Sequence, residues 1–477
     1  MLDRIQLTVL ISTILLAASY SPAQQVQEKQ QVQENEPDIN NGRVLFERDW
    51  VANKSLRTGG LGPLFNATSC AACHSQGGTG GGGDNRHNAQ LLSILPAKNR
   101  FGKFDLSEQS IERMFEEGEK IHQDLANVNG MVLHRFGAID TYADWRNQLL
   151  WGEVDSRVAN RNNQMLDHMP IHRITRGIPS EKTRSGKSPE SQITLQISQR
   201  NTPSLFGAGL IEAIPNEVLK EIVESQESVD DGIRGKVARI KSEFGKFGWR
   251  GQQGSLEKFT IQACAVELGL RTPTQPENDL PETLEIPENF SPRRGIDMTE
   301  KEIVDLVGFI RQLPPPLEKL PEEPKQLEAV KKGEIVFNRL NCAACHVKKV
   351  GELDGVYSDF LMHDMGPELA DVSGVVSKSS REIRQSIGGY FGPSSTLPTE
   401  TRTAVSVGTD SFWQTPPLWG IAQSAPYMHD GRAKNIQEAI LAHGGEAEEA
   451  KQGFKRLTAK YRRYLLTYME TLGAIQE

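Results

Sequence analysis

The motif CAACH occurs twice, at Cys70–His74 and at Cys342–His346, and holds four of the five cysteines of the 477-residue chain. Two thiols three positions apart lie on one helical turn, where both can form thioethers to the vinyl groups of a haem. The adjacent histidine then ligates the iron. A structural zinc site would need four ligands per metal, and neither copy has a second Cys/His pair nearby. A thioredoxin-like dithiol expects a βαβ surrounding, which is absent. The recurrence with histidine therefore points to two covalently bound haem c groups on Cys70, Cys73, His74 and on Cys342, Cys345, His346. Cys264 is left without a partner and reads as a buried inert thiol. Gly77, Gly78 and Gly80–Gly83 follow the first motif. They suit a flexible loop or a close approach of backbone to a haem edge or substrate.

Those motifs need a folded frame. Charged residues make up 24% and hydrophobic residues 37%, with a formal net charge of −8, which suits two or three globular domains of ~150 residues each. The acidic balance argues against nucleic acid as a partner, because duplex binding needs a basic stripe. Only 6% of the residues are aromatic, so haem would supply apolar core that the side chains lack. Arg4 precedes an apolar run from Leu7 to about Ala18, followed by small residues ending at Ala23. This reads as a signal peptide over residues 1–23, implying export to the periplasm and no membrane span after its removal. Residues 24–40, rich in Gln and Glu, read as a disordered tether. The prolines and charges of residues 313–330 mark a linker between an N-terminal unit, 41–312, and a C-terminal unit, 331–477.

Both units read as helical. Thr299 and Glu302 form a capping box ahead of Ile303, Leu306, Val307 and Ile310. The chain's end repeats the period with Phe454, Leu457, Tyr461, Tyr464, Tyr468 and Leu472. No sustained strand alternation stands out, so the fold class is mostly α with long loops. The chain also repeats itself. Gly42–Phe46 precedes the first CAACH as Gly333–Phe337 precedes the second, and TPSLFG from Thr202 echoes TPPLWG from Thr415. Gly251 with Leu256 echoes Gly431 with Ile436. The stretch from Cys73 to Thr202 is much longer than that from Cys345 to Thr415, so the first copy of a duplicated module carries a long insertion.

The strings GLGPLFNATSCAACH from Gly60, RNTPSLFGAGLIEAIP from Arg200, GKFGWR from Gly245, YSDFLMHDMGPELAD from Tyr357 and TPPLWGIAQSAPYMHDGRA from Thr415 carry a resemblance. Together they are similar to the bacterial di-haem cytochrome c peroxidase superfamily, and within it to the branch of di-haem oxidoreductases. The resemblance implies two cytochrome c-like haem domains, the first enlarged by the insertion, an exported location and haem-based redox chemistry. In this superfamily the C-terminal haem receives its distal ligand twelve residues after the glycine of an HDG-type turn. Here that position, counted from Gly431, is His443, implying a His346/His443 haem of lower potential than one with Met. The equivalent position after Gly251 is Ala263, which cannot ligate iron, so the N-terminal haem could be open to substrate. The family's distal acid matches Glu267 in Val266-Glu267-Leu268. A carboxylate there can accept a peroxide proton and return it to the leaving oxygen; otherwise Glu267 is an ordinary solvated residue. Trp249 would lie between the haems as an electron relay, or would be a packed core aromatic.

Arg432 suits a haem propionate, because its fork is bidentate to carboxylate. His363 and His429 fall in family-like strings but suit structural hydrogen bonds equally. His134, His168 and His172 in the insertion could each supply a displaceable ligand to the first haem, and Met165, Met169, Met365 and Met428 are further possible ligands. Calcium between domains occurs in the superfamily, but no carboxylate-rich loop here has a calcium-site spacing. The leading reading is a periplasmic peroxidase-type enzyme that takes electrons from a small cytochrome c or cupredoxin and reduces hydrogen peroxide. The alternatives are a non-catalytic di-haem electron carrier and an oxidase of an organic or protein substrate.

Overall fold

The computed structural model describes residues 36–52, 60–95, 105, 107–126, 130–166, 169, 171–177, 192–240, 243–277, 280–288, 295–372 and 409–473. The expected signal peptide lies outside them. Two helix pairs cross on glycine. Helix Ile39–Glu47 packs on helix Glu300–Arg311, where a Cβ added to Gly42 would sit 2.1 Å from the Asp305 carbonyl oxygen. Helix Pro324–Arg339 packs on helix Ala459–Met469, where a Cβ on Gly333 would sit 2.1 Å from the Tyr464 carbonyl oxygen. Only a residue without Cβ lets two backbones approach this closely. The repeats Gly42–Phe46 and Gly333–Phe337 thus build the same crossing twice, and each buries its phenylalanine.

The capping box forms: Glu302 N donates to Thr299 Oγ1 at 3.2 Å and Thr299 N donates to Glu302 Oε2 at 2.9 Å. Ile303, Leu306, Val307 and Ile310 are buried behind it. Other boundaries move. Within the expected tether, Asp38 accepts from Asn40 N and Asn41 N and starts a helix at Ile39. The expected linker ends early, because Pro324 opens a helix; proline is pre-set for the first helical turn. The period at the chain's end is broken at Leu457 and Thr458 into helices Glu448–Arg456 and Ala459–Met469.

The insertion departs from the mostly helical expectation. It holds a four-stranded antiparallel sheet in the order Gly130–Leu133, Ala89–Leu95, Gln192–Arg200, Ile171–Gly177. Helices Glu108–Ile121 and Tyr142–Trp151 pack their apolar sides into one core with Leu92, Ile94, Leu133 and Leu195. Strand Ala89–Leu95 is buried along its whole length, which erases the alternation that marks a half-exposed strand. Strand Gln192–Arg200 does alternate, with Ile193, Leu195 and Ile197 against Thr194, Gln196 and Ser198. Its polar row is committed across the molecule: Gln196 Nε2 donates to Asp371 Oδ1 at 3.0 Å, and Ser198 Oγ donates to the same oxygen.

That strand delivers Arg200 and Asn201 to the centre, where the two units meet. Asn201 N donates to the His429 carbonyl at 2.8 Å, and Gln414 N donates to the Trp249 carbonyl at 3.0 Å. Both flanking turns have one form. A β-bridge joins Phe247 to Gln253 and another joins Tyr427 to Ala433, with Gly251 at φ 59° and Gly431 at φ 71° in the left-handed region each turn requires. Among the described residues no helix is long and apolar enough to cross a membrane.

Candidate functional site

Two cavities adjoin at this centre. The larger, about 440 Å³, is bordered by Cys342, Cys345, His346 and His443; it lies within the ~300–1,000 Å³ of small-molecule sites. The smaller, about 110 Å³, is bordered by Cys70, Cys73, His74, Ala263 and Glu267. Asn201, Thr202, Pro203, Leu205, Trp249 and Phe259 border both, so one thin wall separates them.

Each CAACH turn aims its histidine in the same way. Ser69 caps the turn Cys70–Cys73 by accepting from Ala72 N, while Cys342–Ala344 forms a 3₁₀ turn. His74 Nδ1 lies 3.0 Å from the Gly81 carbonyl, and His346 Nδ1 lies 3.0 Å from the Tyr357 carbonyl. Donation from Nδ1 to the Tyr357 carbonyl leaves the His346 Nε2 with a lone pair for a metal, the arrangement that orients a ligating histidine; the His74 ring also meets the Pro203 carbonyl. Burial lowers both rings to about 4, with His443 adding to the effect on His346. Both are therefore neutral at pH 7. Burial likewise pushes the Cys342 thiol up to about 12 and raises Cys70, Cys73 and Cys345. The glycine run is a close approach: a Cβ on Gly81 would sit 1.8 Å from the Gln76 carbonyl oxygen, and one on Gly83 would sit 2.5 Å from that of Cys73. It carries the Gly81 carbonyl to His74.

His443 faces His346 across the larger cavity, with ring centres 6.4 Å apart and planes at 58°. Two imidazoles each ~2 Å from one metal on opposite sides have ring centres about 6 Å apart, so the pair has a spacing that one metal between them could bridge. His443 Nδ1 lies 2.7 Å from the Ala439 carbonyl, which leaves its Nε2 available too. In the smaller cavity the corresponding position is Ala263, and Glu267 follows one turn later on helix Leu256–Glu267. Burial raises the Glu267 carboxyl to about 7 against the opposing effects of Asn66 and Arg135. Asn66 Nδ2 donates to Glu267 Oε2 at 2.7 Å and is itself held by Arg135 N at 3.0 Å. The insertion thus fixes the carboxylate's orientation.

Trp249 borders both cavities and anchors its Nε1 on the Asn201 carbonyl at 2.8 Å. Arg432 does not border either cavity. Its fork closes on Asp430, at 2.8 Å from Nε and 2.5 Å from Nη2, and Nη1 donates to the Glu368 carbonyl. The carboxylate it meets is the chain's own, so the fork is already engaged within the chain. His134 is buried with Nε2 on the Val266 carbonyl at 3.0 Å and does not line the smaller cavity. His168 and the side chain of His172 lie outside the described residues. Met165 and Met169 are exposed, whereas Met365 and Met428 border the larger cavity. Cys264 is buried and borders the smaller cavity, its thiol pushed up to about 12 by burial.

Three features go beyond what the sequence analysis assigned. His87 borders the smaller cavity, with Nδ1 3.4 Å from Asp84; its position after the glycine run was the available signal. His363 is clamped between Asp359 at 2.9 Å and Glu446 at 2.7 Å. Burial lowers its basicity, but the two carboxylates and Cys345 outweigh burial and hold it at about 12, as an imidazolium. The third is a buried cluster of Arg200, Arg250, Asp371 and His429 around Trp413. Its members lie far apart in sequence, and only folding collects them.

A haem fits these residues: each cavity offers a neutral histidine beside two thiols. The family model described as "Di-haem oxidoreductase, putative peroxidase" matches residues 14–388 and 401–472. Hydrazine synthase of Kuenenia stuttgartiensis, solved under xenon pressure, is similar over 57% of this chain and 72% of that one, at 17% identity and a TM-score of 0.31. A MauG-like protein associated with microbial copper homeostasis is similar over 36% of this chain and 52% of that one, at 19% identity and a TM-score of 0.22. Scores this low establish no shared fold. No curated protein matches. The family match spans nearly the whole sequence and includes both CAACH turns, and the chain belongs to the di-haem oxidoreductase family.

Proposed function

We propose that the chain is an exported c-type di-haem oxidoreductase that reduces hydrogen peroxide in the smaller cavity. The carrying observation is an asymmetry between positions equally spaced from the two glycine turns: the larger cavity has His443 opposite its motif histidine, and the smaller has Ala263 with Glu267 one turn on. A haem iron, when bound, supplies one-electron redox chemistry and, where no second ligand reaches it, an open coordination position. Cys70 and Cys73 would hold one haem covalently through thioethers, with His74 on its iron. Cys342 and Cys345 would hold the other, with His346 and His443 both available to its iron. Glu267, ionised, accepts the proton of the incoming peroxide and returns it to the departing oxygen, a role its raised pKa suits near neutrality. Trp249 lies in the wall between the cavities, where it can carry electrons from the His346 side to the His74 side. A small cytochrome or cupredoxin would supply them, and the apolar run Leu7–Ala18 would direct export.

A haem stain on a denaturing gel and a pyridine haemochrome count of two per chain test the covalent groups. Ferric spectra should then show one high-spin and one low-spin haem, cyanide should bind the high-spin one, and peroxide should turn over with a reduced donor. Two low-spin haems without turnover would sink this reading. They would favour an electron carrier instead, for which His87 at the smaller cavity is the supporting observation. Fractionation of cells expressing the full chain tests the periplasmic location.

A further inference from the structure

Arg200 ends the central strand of the insertion sheet, is 3% exposed and borders the smaller cavity. One of its nitrogens, Nη1, is fully engaged, donating to Asp371 Oδ2 at 2.5 Å and to the Gln199 carbonyl at 2.8 Å. The other two, Nε and Nη2, have no hydrogen-bond partner among the described residues. Burying a guanidinium with two donors unmet is costly unless something in its surroundings accepts from them. The surroundings include the cavity where a haem on Cys70, Cys73 and His74 would sit. A haem carries two carboxylates, and the edge formed by Nε and Nη2 is the part of an arginine that meets a carboxylate in bidentate fashion.

We infer that Arg200, and not Arg432, is the seat for a carboxylate of the N-terminal haem, an inference that rests on the di-haem reading above. Asp371 is the positioning residue. It is fully buried, belongs to the other unit, and takes Gln196, Ser198 and Arg200 on its carboxylate and Arg250 Nη2 on its carbonyl at 3.3 Å. It thereby turns the unmet edge of Arg200 away from itself. The seat exists only where the insertion strand and the C-terminal unit are docked, so the fold ties the electrostatics of one haem to contact with the unit that holds the other. A buried cation beside a haem carboxylate also favours the ferrous state by offsetting negative charge.

Resonance Raman of the holo-protein reads the propionate-bending band of each haem directly. Arg200→Gln should shift that band for the high-spin haem alone, and move its ferrous-to-ferric ratio at fixed poise about tenfold toward ferric, which is about 59 mV for one electron. Arg200→Lys, which keeps the charge and loses the fork, should move the band but shift the ratio less; it also serves if the Gln variant does not fold. Arg432→Gln should leave both bands unmoved. Two haems per chain with unmoved bands in both Arg200 variants overturn the seat alone, as does a shifted band in the Arg432 variant. A chain without haem overturns the di-haem reading and the seat together.

Discussion

Glu267→Gln separates a catalytic carboxylate from a structural one. Burial raises this carboxyl from 4.5 to about 7. At ~1.4 kcal/mol per unit, the ionised form costs the folded protein about 3 kcal/mol. The folded pKa lies above the unfolded one, so between these two values the folded state holds a proton that the unfolded state has lost. The group's favourable contribution is therefore intact below pH 4.5, falls as pH rises toward 7, and is lost above it. The glutamine cannot ionise but still accepts from Asn66 Nδ2. Thermal melts should show the variant as stable as the wild type at pH 4.5 and more stable at pH 8, by up to about 3 kcal/mol. Steady-state peroxide turnover should fall by ~10²–10⁴, the usual worth of a general acid–base group, and the rise in rate with pH through about 7 should vanish. A variant that keeps turnover within about tenfold and retains that limb would refute the proton-transfer role. Equal destabilisation at both pH values would refute the burial argument.

Three further outcomes follow from the repeat. Ala263→His places at the smaller cavity the residue that faces His346 in the larger one; the high-spin ferric signal should convert to low spin and cyanide binding should be lost. His443→Met should leave the C-terminal haem low-spin and raise its potential, since thioether ligation favours the ferrous state; spectroelectrochemistry reads the shift, and an unchanged potential would show that His443 is not a ligand. Gly333→Ala puts a methyl 2.1 Å from the Tyr464 carbonyl oxygen. Prying those helices apart should cost about 1–3 kcal/mol, seen as a lower melting temperature, and a neutral result would contradict the close crossing.

The haem motifs and the capping box are legible in the sequence because each is local. Its residues lie within a few positions, and spacing alone puts them on one turn. His443 came from the family resemblance, which puts a ligand twelve residues after the glycine of such a turn, and the structure places it facing His346. The insertion sheet was harder to see. One central strand is buried on both faces and shows no alternation, and the other's alternation of Ile193 to Ser198 is short. The partner of Arg432 was hidden for a different reason. Its string looks like a ligand-binding turn, yet Asp430 two residues away already closes its fork.

The sequence by itself determined the chemistry that the chain can hold: two thiol pairs, each with an adjacent histidine, in a duplicated module. The proposed covalent attachment would need only neighbours along the chain, so spacing is enough to suggest it. Which histidine meets which, whether a carboxyl is driven toward 7, and which arginine is left with donors to give were decided by the tertiary structure. These depend on burial and on partners hundreds of positions away, such as Asp371 for Arg200 and Asn66 for Glu267. Desolvation and charge pairing act through space, and no local pattern records them.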